Sequence, residues 1–80
     1  MPSEELTTVS KVALLRQRIA DARRLGVRIR SEWLGGETGG GCEIGGTRWI
    51  FLDLSLSVEE QLGQLSDALA MFRLEEPSKL

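Results

Sequence analysis

Gly41-Cys42-Glu43-Ile44-Gly45-Gly46-Thr47-Arg48-Trp49-Ile50-Phe51-Leu52-Asp53-Leu54 is the stretch on which the fold turns. Its paired glycines, Gly45 and Gly46, form the two-residue turn of a tight hairpin, because glycine takes positive φ without steric cost. Gly41–Ile44 then reads as a short strand and Thr47–Leu54 as a longer, nearly all-apolar one. A strand alternates its side chains, so Ile50, Leu52 and Leu54 share one face while Trp49 and Phe51 occupy the other. Apolar surface therefore lies on both faces of the second strand.

Downstream, Ser57-Val58-Glu59-Glu60 is a capping box: the Ser57 hydroxyl accepts from the Glu60 amide and the Glu60 carboxylate reaches back to Ser57. Val58, Leu62, Leu65, Leu69 and Phe72 follow at spacings of four, three, four and three, the stripe of an amphipathic helix. That helix should fade near Arg73 or Leu74, before Pro77. Upstream, Val27, Ile29, Ser31 and Trp33 alternate with Arg28, Arg30, Glu32 and Leu34, which predicts a first strand. Before it, Val12, Leu15, Ile19 and Ala22 recur at helical spacing. Leu25-Gly26-Val27 supplies a glycine C-cap, and Arg23 and Arg24 suit the negative end of the helix dipole. The start of this helix is open, after Ser3 or later at Thr8 or Ser10.

The expected architecture is α+β: helix, three-stranded antiparallel β-meander, helix, in a two-layer sandwich with both helices on one sheet face. Residues 1–80 form one domain, with loose ends expected at 1–9 and 75–80. A chain of this size buries only about 60–65% of its unfolded surface, so an isolated copy is marginal. No apolar run reaches the roughly 18 residues of a membrane span, and the acidic start, Met1 to Lys11, lacks the features of a signal peptide. With a single cysteine as well, a cytoplasmic location is expected.

Seven of the nine glycines lie between Gly35 and Gly46, in a block flanked by the two tryptophans, Trp33 and Trp49. The block has the position of an active loop but lacks the partners such a loop needs. Gly40–Thr47 has the glycine spacing and final threonine of a phosphate loop, yet Gly46 stands where the lysine must be and a strand follows instead of a helix. Without histidine, Cys42 has no base to activate it and reads as a small half-buried strand residue. Among the acids, Glu37 and Glu43 have no evident carboxylate partner. Glu59 and Glu60 suit the first turn of a helix, and Asp53 suits a strand end where it can reach backbone amides. No enzyme, cofactor or metal site is expected.

The net charge of −2 divides into +2 over residues 1–40 and −4 over residues 41–80. Residues 16–30 carry six arginines against Asp21 alone, a local +5. Arg16, Arg23, Arg24, Arg28 and Arg30 are thus the surface on which a nucleic acid or another anionic ligand would bind. Against it stand the pI of about 5.1 and only four aromatic residues.

From Arg24 to Ala70 the order of pieces resembles the opening of the metallopeptidase-like domains of bacterial and phage immunity and radiation-response regulators. The pieces are Arg24-Leu25-Gly26-Val27-Arg28, Trp49-Ile50-Phe51-Leu52-Asp53 and the Ser57-Val58-Glu59-Glu60 cap. In that family the capped helix carries the zinc signature H-E-x-x-H. Here the corresponding helix reads Leu65-Ser66-Asp67-Ala68-Leu69-Ala70-Met71, with Asp67 and Met71 at the histidine positions and Ala68 at that of the glutamate. The resemblance therefore implies a metal-site-free remnant, since an acid, a thioether and no general base do not support zinc hydrolysis. The chain is also similar to small bacterial proteins that keep a glycine-glycine-x-Cys element before a strand and capped helix.

Taken together, the sequence predicts a non-enzymatic protein-interaction or regulatory module acting as a homodimer. Its expected interaction surface is the outer sheet face marked by Trp33, Trp49 and Phe51, because so short a chain has little left to cover a second apolar face. The alternatives are an anionic-ligand or nucleic-acid binder and the metallopeptidase-like remnant.

Overall fold

The computed structural model of the chain describes residues 3–36 and 39–74, with side chains from residue 10 onward. The tail at 75–80 and Glu37 lie outside them. The elements are α1 (Ser3–Arg24), β1 (Arg28–Glu32), β2 (Gly40–Ile44), β3 (Thr47–Asp53) and α2 (Val58–Met71). The helix thus takes the earliest of the expected starts, and residues 3–9, expected as a loose end, are helical.

The sheet is mixed and its strand order is β1-β3-β2, which corrects the expected antiparallel meander. β2 and β3 do form the antiparallel hairpin across Gly45 and Gly46, whose φ values of 58° and 85° are both positive. β1, however, pairs with β3 in parallel, Ile29 beside Ile50 and Glu32 beside Asp53. The chain leaves β1, crosses the C-terminal end of β3, and returns as β2 on its far side. Apolarity accounts for this order. β3 is the strand with apolar residues on both faces, so it sits in the centre, where ladders on both edges satisfy its backbone. The meander would have placed the short, glycine-rich β2 there instead.

Asp53, at the end of β3, holds the crossover in place. Its carboxylate is buried and accepts hydrogen bonds from the amides of Leu34 (2.9 Å), Gly36 (2.6 Å) and Ser55 (2.9 Å) and from the Ser55 hydroxyl (2.7 Å). Its own amide donates to Gln64 Oε1 of α2 (3.0 Å). Burial by itself would raise the carboxyl pKa, but the Ser55 hydroxyl and the three amides outweigh it and hold the group at about 2, below its ordinary 3.8. The opening of the glycine loop is thus tied to the sheet at Leu34 and Gly36.

Both helices cover one face of the sheet. The core comprises Ala22, Val27, Ile29, Ile50, Leu52, Leu65 and Ala68, with Leu15, Ile19, Leu69, Phe72 and Leu74 packed around it. Leu54, expected on this face, lies past the end of β3 and is exposed. In α2 the buried residue of the first turns is Gln61 rather than Leu62, because the Gln61 amide donates to the Leu56 carbonyl (3.1 Å) and is satisfied there. α2 packs directly on β2. A Cβ at Gly41 would come within 2.9 Å of Met71 Cε, 3.0 Å of Phe72 Cζ and 3.1 Å of the Ala68 Cβ.

The helix ends follow from local chemistry. At α1, Gly26 (φ 90°) donates to the Arg23 carbonyl (3.0 Å) and Val27 to that of Ala22 (3.2 Å), a Schellman motif whose apolar pair, Ala22 and Val27, is buried in the core. α2 ends in the same bonding, Arg73 to Ala70 (2.9 Å) and Leu74 to Leu69 (2.8 Å). There the left-handed position is held by Arg73, at φ 61°. The predicted capping box is present, Glu60 amide to Ser57 Oγ at 3.1 Å and Ser57 amide to Glu60 Oε1 at 3.0 Å.

Candidate interaction surface

The sheet face turned away from the helices is built by parity. Strand register puts Arg28 and Cys42 on either side of Trp49, and Arg30 and Gly40 on either side of Phe51. With Ile50 and Leu52 turned into the core, their neighbours must point outward. Trp49 and Phe51 stack nearly parallel, ring centroids 5.8 Å apart with 7° between planes, and both are half-buried. The Arg28 guanidinium lies over the indole, 5.7 Å from its centroid, a cation–π contact worth about 0.5–1 kcal/mol at such an exposed site. Arg30 is paired with Glu32 at 2.9 Å, both ends solvent-exposed, so the pair adds little stability and reduces the positive charge of the face.

Of the three residues expected to mark this surface, two come together. Trp33 lies beyond the end of β1, 75% exposed, and its place in the alternation is that of Ile29, not that of Arg28. Cys42 is half-buried on the open face beside Trp49.

The arginines divide as well. Arg23, Arg28 and Arg30 line one groove of about 520 Å³ with Trp49 as its apolar wall. Arg23 is steadied there by donating to the Ile29 carbonyl at 3.2 Å. Arg24 is paired with Asp21, and Arg16 is exposed along α1 and not part of the groove. Sequence reasoning placed all five arginines on one surface because charge counting along a chain does not distinguish the faces of a helix. The signal that would have singled out Arg23 is its position in the last turn of α1, three residues before the glycine cap that turns the chain back into β1.

Asp67 and Met71, which stand at the histidine positions of the metallopeptidase resemblance, are both exposed on α2. Among the described residues no group of three His, Cys, Asp or Glu side chains is placed to hold a metal ion, and no helix is long and apolar enough to cross a membrane. Comparison with family models, with curated proteins and with solved structures finds no match to the chain.

Proposed function

We propose that the chain is a non-enzymatic interaction module that pairs with a second copy through the open sheet face around Trp49 and Phe51. The observation that carries this reading is the stacked Trp49–Phe51 pair, the central strand's own apolar side chains, lying on a face that, among the described residues, no helix covers. Large aromatic side chains on an uncovered face are typical of interface centres, and a second copy would remove them from water. The sheet itself limits the contact. Three strands of about five residues span roughly 14 Å by 17 Å, well short of the roughly 800 Å² per partner of a standard interface. So small a contact belongs with weak, transient pairings, and the expected dissociation constant is micromolar. Sedimentation equilibrium tests it: the wild-type chain should move from monomer to dimer between about 1 and 100 µM, and Trp49→Lys should remain monomeric throughout. A wild-type chain that stays at the 8.8 kDa monomer mass up to 100 µM contradicts the reading.

A second reading is supported by the groove of Arg23, Arg28, Arg30 and Trp49. Three guanidiniums beside an indole suit a ligand with both a phosphate and a planar base, as in single-stranded nucleic acid. Titration of single-stranded RNA and DNA at low and at high salt discriminates the two, because phosphate contacts are strongest at low salt. Absence of binding at low salt removes this second reading and leaves the first untouched.

A further inference from the structure

The sheet has two edges, and they are finished differently. At the β1 edge, the Arg23 side chain reaches across from α1 and occupies the Ile29 carbonyl. Such a charged cover is a common way to block strand addition. At the β2 edge, among the described residues, no hydrogen bond from outside the sheet reaches Gly40–Ile44. This edge is also flanked by two depressions. One, of about 360 Å³, opens on the outer face and is walled by Leu34, Cys42 and Phe51 above the glycines. The other, of about 340 Å³, opens on the helix face between the same glycines and Gln64, Asp67 and Met71 of α2. Two large apolar side chains stand exposed beside the edge, Ile44 at 58% on the outer face and Met71 at 57% on the helix face.

We infer that the β2 edge accepts an extended peptide of a partner protein, added as a fourth strand, whose side chains alternate between apolar and basic. An added strand takes its affinity from main-chain hydrogen bonds and its specificity from pockets for alternate side chains. Depressions on the two faces at the same residues, Gly39–Gly41, are the arrangement that alternation requires. Gly40, where an added Cβ would meet nothing within 4 Å, leaves room beside the edge, whereas Gly41 lets Met71, Phe72 and Ala68 close directly on β2. The ligand's charge follows from the lining. Asp67 borders the helix-side depression and Glu43 is exposed on β2 itself, opposite Arg48 of β3, while Glu32 at the outer depression is already paired with Arg30; among the described residues no Lys or Arg lines either depression. A second copy of β2 would bring its own Glu43 toward Asp67, a like-charge approach, which favours a basic peptide as the occupant over self-pairing. The five residues of β2 span about 17 Å, the length of a five-residue partner segment. This site deepens the interaction-module reading; it is centred on the β2 edge, and its outer depression borders the Trp49 face at Cys42 and Phe51.

The test uses the full chain and a fluorescein-labelled peptide, Lys-Val-Lys-Val-Lys-Val-Lys, with its Glu-Val counterpart as control. Fluorescence anisotropy at low salt should show saturable binding of the Lys-Val peptide and at least tenfold weaker binding of the Glu-Val one. Amide exchange should slow at Cys42–Ile44 on binding, and the exposed-site variants Ile44→Lys and Met71→Lys should each weaken binding at least tenfold while keeping the wild-type far-ultraviolet circular dichroism. Trp49 lines neither depression, so Trp49→Lys should still bind the peptide saturably while remaining monomeric, which separates peptide binding from dimer formation. No saturable binding at millimolar protein overturns the inference. So does binding that protects β1 amides instead, or protection of Cys42–Ile44 that rises with protein concentration in the absence of peptide, which would assign the edge to a second copy.

Discussion

The two faces of β3 make a controlled comparison within one strand. Ile50 and Leu52 are fully buried under both helices, whereas Trp49 and Phe51, one residue away in each case, are half-exposed on a face without a cover. The two sets share one backbone strand, but their surroundings differ: Ile50 lies between Ile29 and Gly41 beneath the helices, whereas Trp49 lies between Arg28 and Cys42 on the open side. Helix cover converts apolarity into stability on one face and leaves it available for association on the other.

The largest effect expected from this contrast is Leu52→Ala. It should lower the unfolding free energy by about 2–5 kcal/mol, through lost transfer energy and an unfilled cavity, independently of protein concentration. Denaturant titration checks it, and a loss below about 1 kcal/mol would mean the helix layer is not closed over β3. On the other face, Trp49→Lys should cost the isolated chain only about 1 kcal/mol, the loss of the ring stack, while abolishing any rise of the melting temperature with concentration.

Asp53 joins the two faces at the strand end, and its pH dependence is distinctive. Its folded pKa of about 2 lies below the ordinary 3.8, so the unfolded chain binds the proton first as pH falls. The stabilisation is fully present above about pH 4 and is lost as pH falls through about 2. Asp53→Asn should lower the melting temperature at pH 7 by roughly 10 °C, because an amide nitrogen would meet donors that need an acceptor. It should also flatten the wild-type loss of stability between pH 4 and pH 2. An unchanged acid limb in thermal melts would show that Asp53 is not the clasp of the crossover.

Much of this architecture was legible locally. The Gly45-Gly46 hairpin, the Ser57–Glu60 capping box and the Leu25-Gly26-Val27 helix end each depend on residues a few positions apart, and the structure has all three. Strand order was not legible in the same way. It is set by which strand lies centrally, a comparison among β1, β2 and β3, and by the Asp53 carboxylate reaching Leu34 nineteen positions earlier. The signal was present in the composition of the strands, since Trp49-Ile50-Phe51-Leu52 suits a centre and Gly40-Gly41 suits an edge. Strand parity puts Trp49 and Phe51 on the open face, whereas Trp33 shares the parity of Ile29 and lies past the end of β1, so it does not join them there.

The smallest effect concerns the two helix ends, which share one bonding pattern with different residues at the left-handed position. Arg73→Gly should stabilise the chain by about 0.5–1 kcal/mol by relieving the Cβ penalty that Gly26 avoids at the end of α1. Thermal melts at fixed concentration would show it, and a destabilisation would mean the Arg73 side chain makes a contact worth more than its backbone strain.

The most direct test of the covered-face account is acrylamide quenching of Trp49 fluorescence in a Trp33→Phe variant, followed as the protein is concentrated. Pairing through the Trp49–Phe51 face predicts that quenching falls several-fold between about 1 and 100 µM while the emission shifts to the blue. Quenching that stays constant over that range, with sedimentation showing a dimer, would place the interface elsewhere and contradict the account.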